Sequence, residues 1–140
     1  MRKLLVIRLL LLSMWVLLTA GSVYAQSRIQ VEIPFPFTVA DKLFPADTYT
    51  AVRLPPASPN VIQVRSPDLS TQAILIMNCL EARPNQEVKP KFVFRRYGDQ
   101  YFLAQVWMGG ALGRETRKSN KERQITRLTS EPEWIYLAAK

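Results

Sequence analysis

The residues best suited to chemistry in this chain are cations. Arg114, Arg117, Lys118, Lys121, Arg123 and Arg127 place six positive charges within 14 residues, opposed only by Glu115 and Glu122. Such a run attracts anions, whether phospholipid headgroups, acidic glycan or an acidic protein face. A charged, solvated helix face is the plainer reading of the same residues. Histidine is absent from all 140 residues, which removes the commonest general base and transition-metal ligand. Cys79 is the single cysteine, so no intramolecular disulfide forms, and neither a zinc site nor a Cys–His nucleophile is expected. It sits in the apolar run 73–80, where a free cysteine is expected to be buried and inert.

The remaining candidates read as structure rather than catalysis. Lys118 and Ser119 are adjacent, and adjacent residues do not face one another on a helix; Ser119 is better used as a helix cap. A glycosidase needs two carboxylates at a set separation, but Asp41, Asp47, Asp68 and Asp99 all lie beside turn residues, where aspartate bonds its own backbone. The glycine-rich stretch 109–114 lacks the Lys-Ser/Thr of a phosphate loop and the spacing of a dinucleotide fingerprint. Tyr97, Tyr101, Trp107 and Trp134 would favour a glycan if exposed, although core packing is their commoner use.

These residues must be positioned by strands. Ile29, Val31, Ile33, Phe35, Phe37 and Val39 alternate with Gln30, Glu32, Pro34, Pro36 and Thr38, the pattern of a half-buried strand. Pro34 and Pro36 lack their N–H on the same side, which marks an edge strand, bent at the prolines. Turn residues at 45–47, 55–60 and 66–68 precede strands over 48–54, 61–65 and 71–80, and 81–90 is a polar loop. Gly98-Asp99 between 91–97 and 100–108 predicts a hairpin with a type II′ turn. Its register would pair Tyr97 with Gln100, Arg96 with Tyr101, Phe94 with Leu103 and Val93 with Ala104, leaving Arg96 free to lie over the Tyr101 ring. Ser119 and Glu122 have capping-box spacing, which predicts a helix over about 120–128 with Ile125 and Leu128 inward. A last strand covers 134–138. The sum is a mainly β, single antiparallel sandwich or partly open barrel of about seven strands, with one short helix in its second half.

Residues 1–25 have the build of a secretory signal peptide. Met1, Arg2 and Lys3 make a positive start, 9–18 are mostly apolar, and Val23-Tyr24-Ala25 offers small residues at the positions a signal peptidase reads. Cleavage is expected after Ala25. An uncleaved anchor would need about 20 predominantly apolar residues, whereas the stretch 4–20 is 17 residues long and carries Arg8 within it. No Arg-Arg pair precedes the run and no cysteine marks a lipid anchor, so a Sec-type route to the periplasm or the medium is expected, with no transmembrane segment afterwards. The mature segment, 26–140, fits one domain. It carries 16 basic and 11 acidic residues, with all the excess in 81–140.

Several motifs carry a resemblance. Ile33-Pro34-Phe35-Pro36-Phe37-Thr38-Val39, Pro45-Ala46-Asp47-Thr48-Tyr49-Thr50, Phe94-Arg95-Arg96-Tyr97-Gly98-Asp99-Gln100-Tyr101-Phe102-Leu103, and Lys118-Ser119 with Glu122-Arg123 together resemble a family of small exported bacterial proteins of unknown function. The match spans most of 26–140. Those relatives typically read Pro-Ala-Gly-Thr-Tyr at the turn, where this chain has Asp47; aspartate tolerates a left-handed backbone, so the turn can survive. The resemblance implies an exported β-rich domain and brings no activity or catalytic residue.

The expectation is therefore a non-enzymatic exported β-domain that needs no cofactor or metal. It would associate with an anionic envelope glycan, a lipid surface or a protein partner through Arg114, Arg117, Lys118, Lys121, Arg123 and Arg127. Export makes nucleic acid a poor partner. The edge at 34–38 is a second contact surface, where a partner strand would add or where the prolines would forbid pairing. The competing class is a carbohydrate-active or other hydrolase, which needs two carboxylates converging in a cleft with a raised pKa on one. An outer-membrane barrel needs about eight strands of roughly ten residues, more than expected here.

Overall fold

The computed structural model describes residues 1, 3, 28–54, 60–129 and 131–140. The cleavage site and nearly all of the signal-peptide reading lie outside the described residues, as does most of the turn at 55–60. The described chain is mainly β, with one short helix and two sheets that do not close into a barrel.

The first sheet has the order β1–β4–β5–β6, built from β1 (Arg28–Ile33), β4 (Asp47–Arg53), β5 (Val61–Arg65) and β6 (Gln72–Ile76), all antiparallel. The second runs β11–β8–β9–β10–β7, from β7 (Asn78–Glu81), β8 (Lys91–Tyr97), β9 (Gln100–Trp107), β10 (Leu112–Glu115) and β11 (Glu133–Ala138). The short β2 (Phe37–Val39) joins β9 in parallel through Thr38 and Phe102, and carries β3 (Lys42–Phe44) on its other side. Helix α1 (Asn120–Thr126) lies on the outer face of the second sheet.

One core joins the sheets. Ile29, Val31 and Ile33 are buried while Arg28, Gln30 and Glu32 are exposed, as alternation requires. They meet Tyr49, Ile62, Val64 and Leu75 from the first sheet and Phe92, Phe94, Leu103 and Val106 from the second. Phe37, Phe44, Tyr49 and Phe94 form an aromatic centre with ring separations of 5.1–5.5 Å. The buried Tyr49 hydroxyl donates to the Pro45 carbonyl at 2.8 Å, which holds the turn that starts β4.

Eleven strands appear among the described residues, against the seven expected: two expected strands are each cut where the chain changes sheets, and β3 and β10 are additional. The alternating run 29–39 breaks at Pro34–Pro36, so β1 belongs to one sheet and β2 to the other. The run 71–80 breaks at Met77, a buried residue whose N–H donates to Asn60 O at 2.8 Å. Beyond that break the alternation restarts, and Cys79 is exposed on β7, not buried. The edge strand expected to bend at the prolines is borne out in part: β1 before them is a terminal strand of its sheet, but β2 after them is buried and paired on both sides, so Phe37 and Thr38 form no free edge.

The hairpin confirms most of its predicted register. Tyr97 opposes Gln100, Arg96 opposes Tyr101 and Phe94 opposes Leu103, with Gly98 at φ 62° in the turn. The Arg96 guanidinium lies 5.5 Å from the Tyr101 ring centroid. Val93, however, opposes Gln105, because Ala104 is an extra residue in β9. The cause is parity: without the bulge Gln105 would sit opposite Phe92 on the core face, and with it the buried Val106 does. The helix also ends earlier than expected, at Thr126, leaving Leu128 89% exposed, while Ile125 is half-buried. Asp47 does not use a left-handed backbone; it opens β4 and accepts the Thr48 N–H at 2.7 Å.

Candidate functional site

The cationic segment is organised by one buried ion pair. Arg95 is on β8, facing away from Phe92 and Phe94, and is 4% exposed. Glu122 of α1 is 2% exposed and meets it in a two-pronged contact, with Arg95 Nε and Nη2 donating to the two carboxylate oxygens at 2.5 and 3.1 Å. The Tyr97 hydroxyl donates to the same carboxylate at 3.1 Å. Such a fork supplies the charged hydrogen bonds that a desolvated pair needs. Ser119 is the N-cap as expected, accepting the Glu122 N–H at 3.2 Å, but the Glu122 side chain turns down onto β8. Glu115 Oε1 also approaches Arg95, at 4.0 Å.

The cap has a second anchor. Asp41 stands in the β2–β3 turn, where Ala40 and Asp41 have φ of 48° and 65°, the paired positive values of a type I′ hairpin turn. Its Oδ1 accepts the Lys121 N–H at 3.1 Å, and its carboxylate bonds the Ser119 hydroxyl. The Ser119 bond, then the Lys121 amide, hold the Asp41 pKa below the ordinary carboxylate range.

The predicted site residues divide. Arg117, Lys121, Arg123 and Arg127 are exposed and Lys118 is half-buried, all on α1 or next to it. Arg123 Nε donates to the Lys118 carbonyl at 3.2 Å, which folds those two residues together. Among the described residues no ion pair neutralises these five cations. Arg114 is a correction. It is buried in β10 between β9 and β7, with Nη1 donating to Gly113 O at 2.9 Å and reaching Cys79 Sγ at 3.3 Å, so it does not share the exposed face.

Beside this face lies an open groove of about 410 Å³. Val39, Leu75, Phe102 and Leu103 form its apolar floor, β6 forms one wall, and Arg117, Lys118 and Asn120 line the other. On the outer face of β6, opposite the buried Leu75, Ile74 and Ile76 are 63% and 83% exposed.

Two further carboxylates lie away from the groove and are occupied. Asp68 accepts from the Ser66 and Ser70 hydroxyls at 2.6 and 2.9 Å, and these bonds, Ser66 first, lower its pKa. Glu32 is lowered by Lys140, with which it pairs. A lowered carboxyl is the opposite of what a general acid needs. No group of three or more His, Cys, Asp and Glu side chains that could hold a metal occurs among the described residues. Of the four aromatics, Tyr97 and Trp107 are buried, Tyr101 stacks on Phe35 at 3.8 Å, and Trp134 is exposed. Trp107 lies directly over Gly113, where a Cβ would come within 2.6 Å of the indole.

No family model, no curated protein and no solved structure matches this chain. Two features escaped the sequence reading. Arg95 has a signal, since a charge sits at a strand position flanked by apolar residues, and Glu122 was assigned only to the cap. The β6 edge has none, because which strands lie beside β6 and what covers its outer face are settled by distant segments.

Proposed function

We propose that this protein is a non-enzymatic β-sandwich binding module, exported by a Sec-type signal, that engages an anionic component of the cell envelope through the face formed by α1 and the residues before it. The observation that carries the reading is how the segment sorts its charges. Its two acids turn toward Arg95, one of them fully buried, while among the described residues no ion pair involves Arg117, Lys118, Lys121, Arg123 or Arg127, and Asp41 near Lys121 is the one acid close to them. An exposed face of one sign concentrates counter-ions and steers anionic partners toward it. A merely solvated helix has no need to withdraw its acids in this way. Membership of the family of small exported proteins belongs to the same proposal. The competing hydrolase draws no support, since Asp41, Asp68 and Glu32 hold bonds that keep them ionised.

Lipid and glycan are separated by pull-down of the purified protein on phosphatidylglycerol vesicles, phosphatidylcholine vesicles and lipopolysaccharide-coated beads. Retention on an anionic matrix, falling with added salt and absent from phosphatidylcholine, is the expected outcome. Equal retention on all three, or none, contradicts the reading.

A further inference from the structure

We infer that the groove between β6 and residues 116–120 is a docking site for an extended acidic and apolar peptide segment of another protein, which adds as a strand to the free edge of β6. The inference deepens the proposed function and rests on it, since the cations of the groove belong to the same face.

Three observations converge. Among the described residues β6 pairs with β5 on one side only, so alternate residues from Gln72 to Ile76 direct N–H and C=O groups outward. Natural edges are normally blunted by lysine, proline or a bulge, and none of these occurs in Gln72-Ala73-Ile74-Leu75-Ile76. Two large aliphatic side chains are instead displayed there, at 63% and 83% exposure. Next to that edge the groove offers an apolar floor and, on its far wall, Arg117 and Lys118.

Backbone groups along a sheet edge are satisfied by another strand, with main-chain bonds for affinity and alternate side chains for specificity. An acyl chain would fit the floor but leave those groups unpaired. A second copy would bring a second Arg117 and Lys118 to the same groove, and like charges brought together cost affinity. The single acid lining the groove other than the buried Glu122, Asp41, is turned to the Ser119 hydroxyl and the Lys121 N–H, so Arg117 and Lys118 outnumber it and the lining keeps a cationic excess. A segment with apolar residues against Ile74, Ile76 and the floor, and carboxylates toward Arg117 and Lys118, satisfies every part.

The test pans a random dodecapeptide phage library against the purified protein, then measures the enriched peptides by fluorescence anisotropy against the protein, Ile74→Lys and the double variant Arg117→Gln/Lys118→Gln. Acidic and apolar sequences should be enriched, and both variants should weaken binding on the order of tenfold or more. The Ile74→Lys result is diagnostic because that change adds positive charge, so pure electrostatics would tighten binding. Hydrogen exchange at 72–76 should slow on peptide addition. Circular dichroism confirms folding of the variants, and Ile76→Lys stands in if Ile74→Lys fails to fold. Absence of enrichment, enrichment of basic or patternless peptides, unchanged exchange at 72–76, or a self-dimer that Ile74→Lys abolishes would overturn the inference. Envelope binding that survives Ile74→Lys but not loss of the cations would leave the proposed function standing while this site falls.

Discussion

The Glu122 carboxylate accepts from Arg95 and Tyr97 at once, while its backbone N–H donates to the Ser119 cap, so one residue ties α1 both to β8 and to its own cap. A buried ion pair adds little over an apolar substitute, but removing one member strands the other as an uncompensated charge. Glu122→Gln should therefore lower unfolding free energy by about 3–5 kcal/mol, measured by urea denaturation; a loss below about 1 kcal/mol, the worth of an exposed pair, would mean that Arg95 finds water. Cys79 gives a second residue-scale prediction. Being exposed, its thiol should react with an aromatic disulfide reagent in the native protein without denaturant, whereas a buried thiol would react only after unfolding. Tyr49 gives a third. Burial, aided by Asp47 and Asp68, pushes its pKa up to about 12. Because the folded value is raised, its contribution to stability is complete below the ordinary tyrosine value of about 10 and is lost as pH rises through the folded one. An ultraviolet titration should show a late tyrosine ionisation, coincident with alkaline unfolding, that is lost in Tyr49→Phe.

At the scale of elements, the cap of α1 was readable and its cost can be measured. Ser119→Ala should destabilise by about 1 kcal/mol in thermal or urea melts. The Asp41 anchor adds a pH dependence of fixed sign. Its folded pKa is lowered, so its stabilisation is present above the ordinary carboxylate value and is lost as pH falls through the folded one. Asp41→Asn should flatten that acid limb. Local pattern served well where the determinants were local: alternation for β1, the glycine turn between β8 and β9, the boundaries of β5, and Ser119 before α1. It failed where a second sheet decides. The sheet change after β1 is prepared by Pro34 and Pro36, yet nothing nearby says that β2 must lie beside β9. The break at Met77 has no local signal at all, and its neglect is what placed Cys79 inside. The Ala104 bulge is legible only once Phe92 and Val106 are known to share a face.

For the whole molecule, a mainly β fold with a short helix after β10 was legible from alternation, turn spacing and the Ser119 cap, because those patterns are local. The pairing of distant segments was not, since β10 with β7 and β2 with β9 are contacts that periodicity does not encode. The cationic segment was visible as a run of charge; the exposure of its members was not, because Arg114 lies on an inner strand while Arg117 lies beyond its end. Charge acts over the scale of the whole surface, and so does its screening: at physiological salt the field reaches about 8 Å. The direct test is co-sedimentation of the purified protein with isolated cell envelopes at low and high salt, beside a variant with Arg117, Lys118, Lys121 and Arg123 changed to glutamine. Binding at low salt that fades at high salt and is lost in the variant is the predicted result. Binding that ignores salt and survives the four substitutions, or no binding at either salt, would contradict the assignment of this face to an anionic partner.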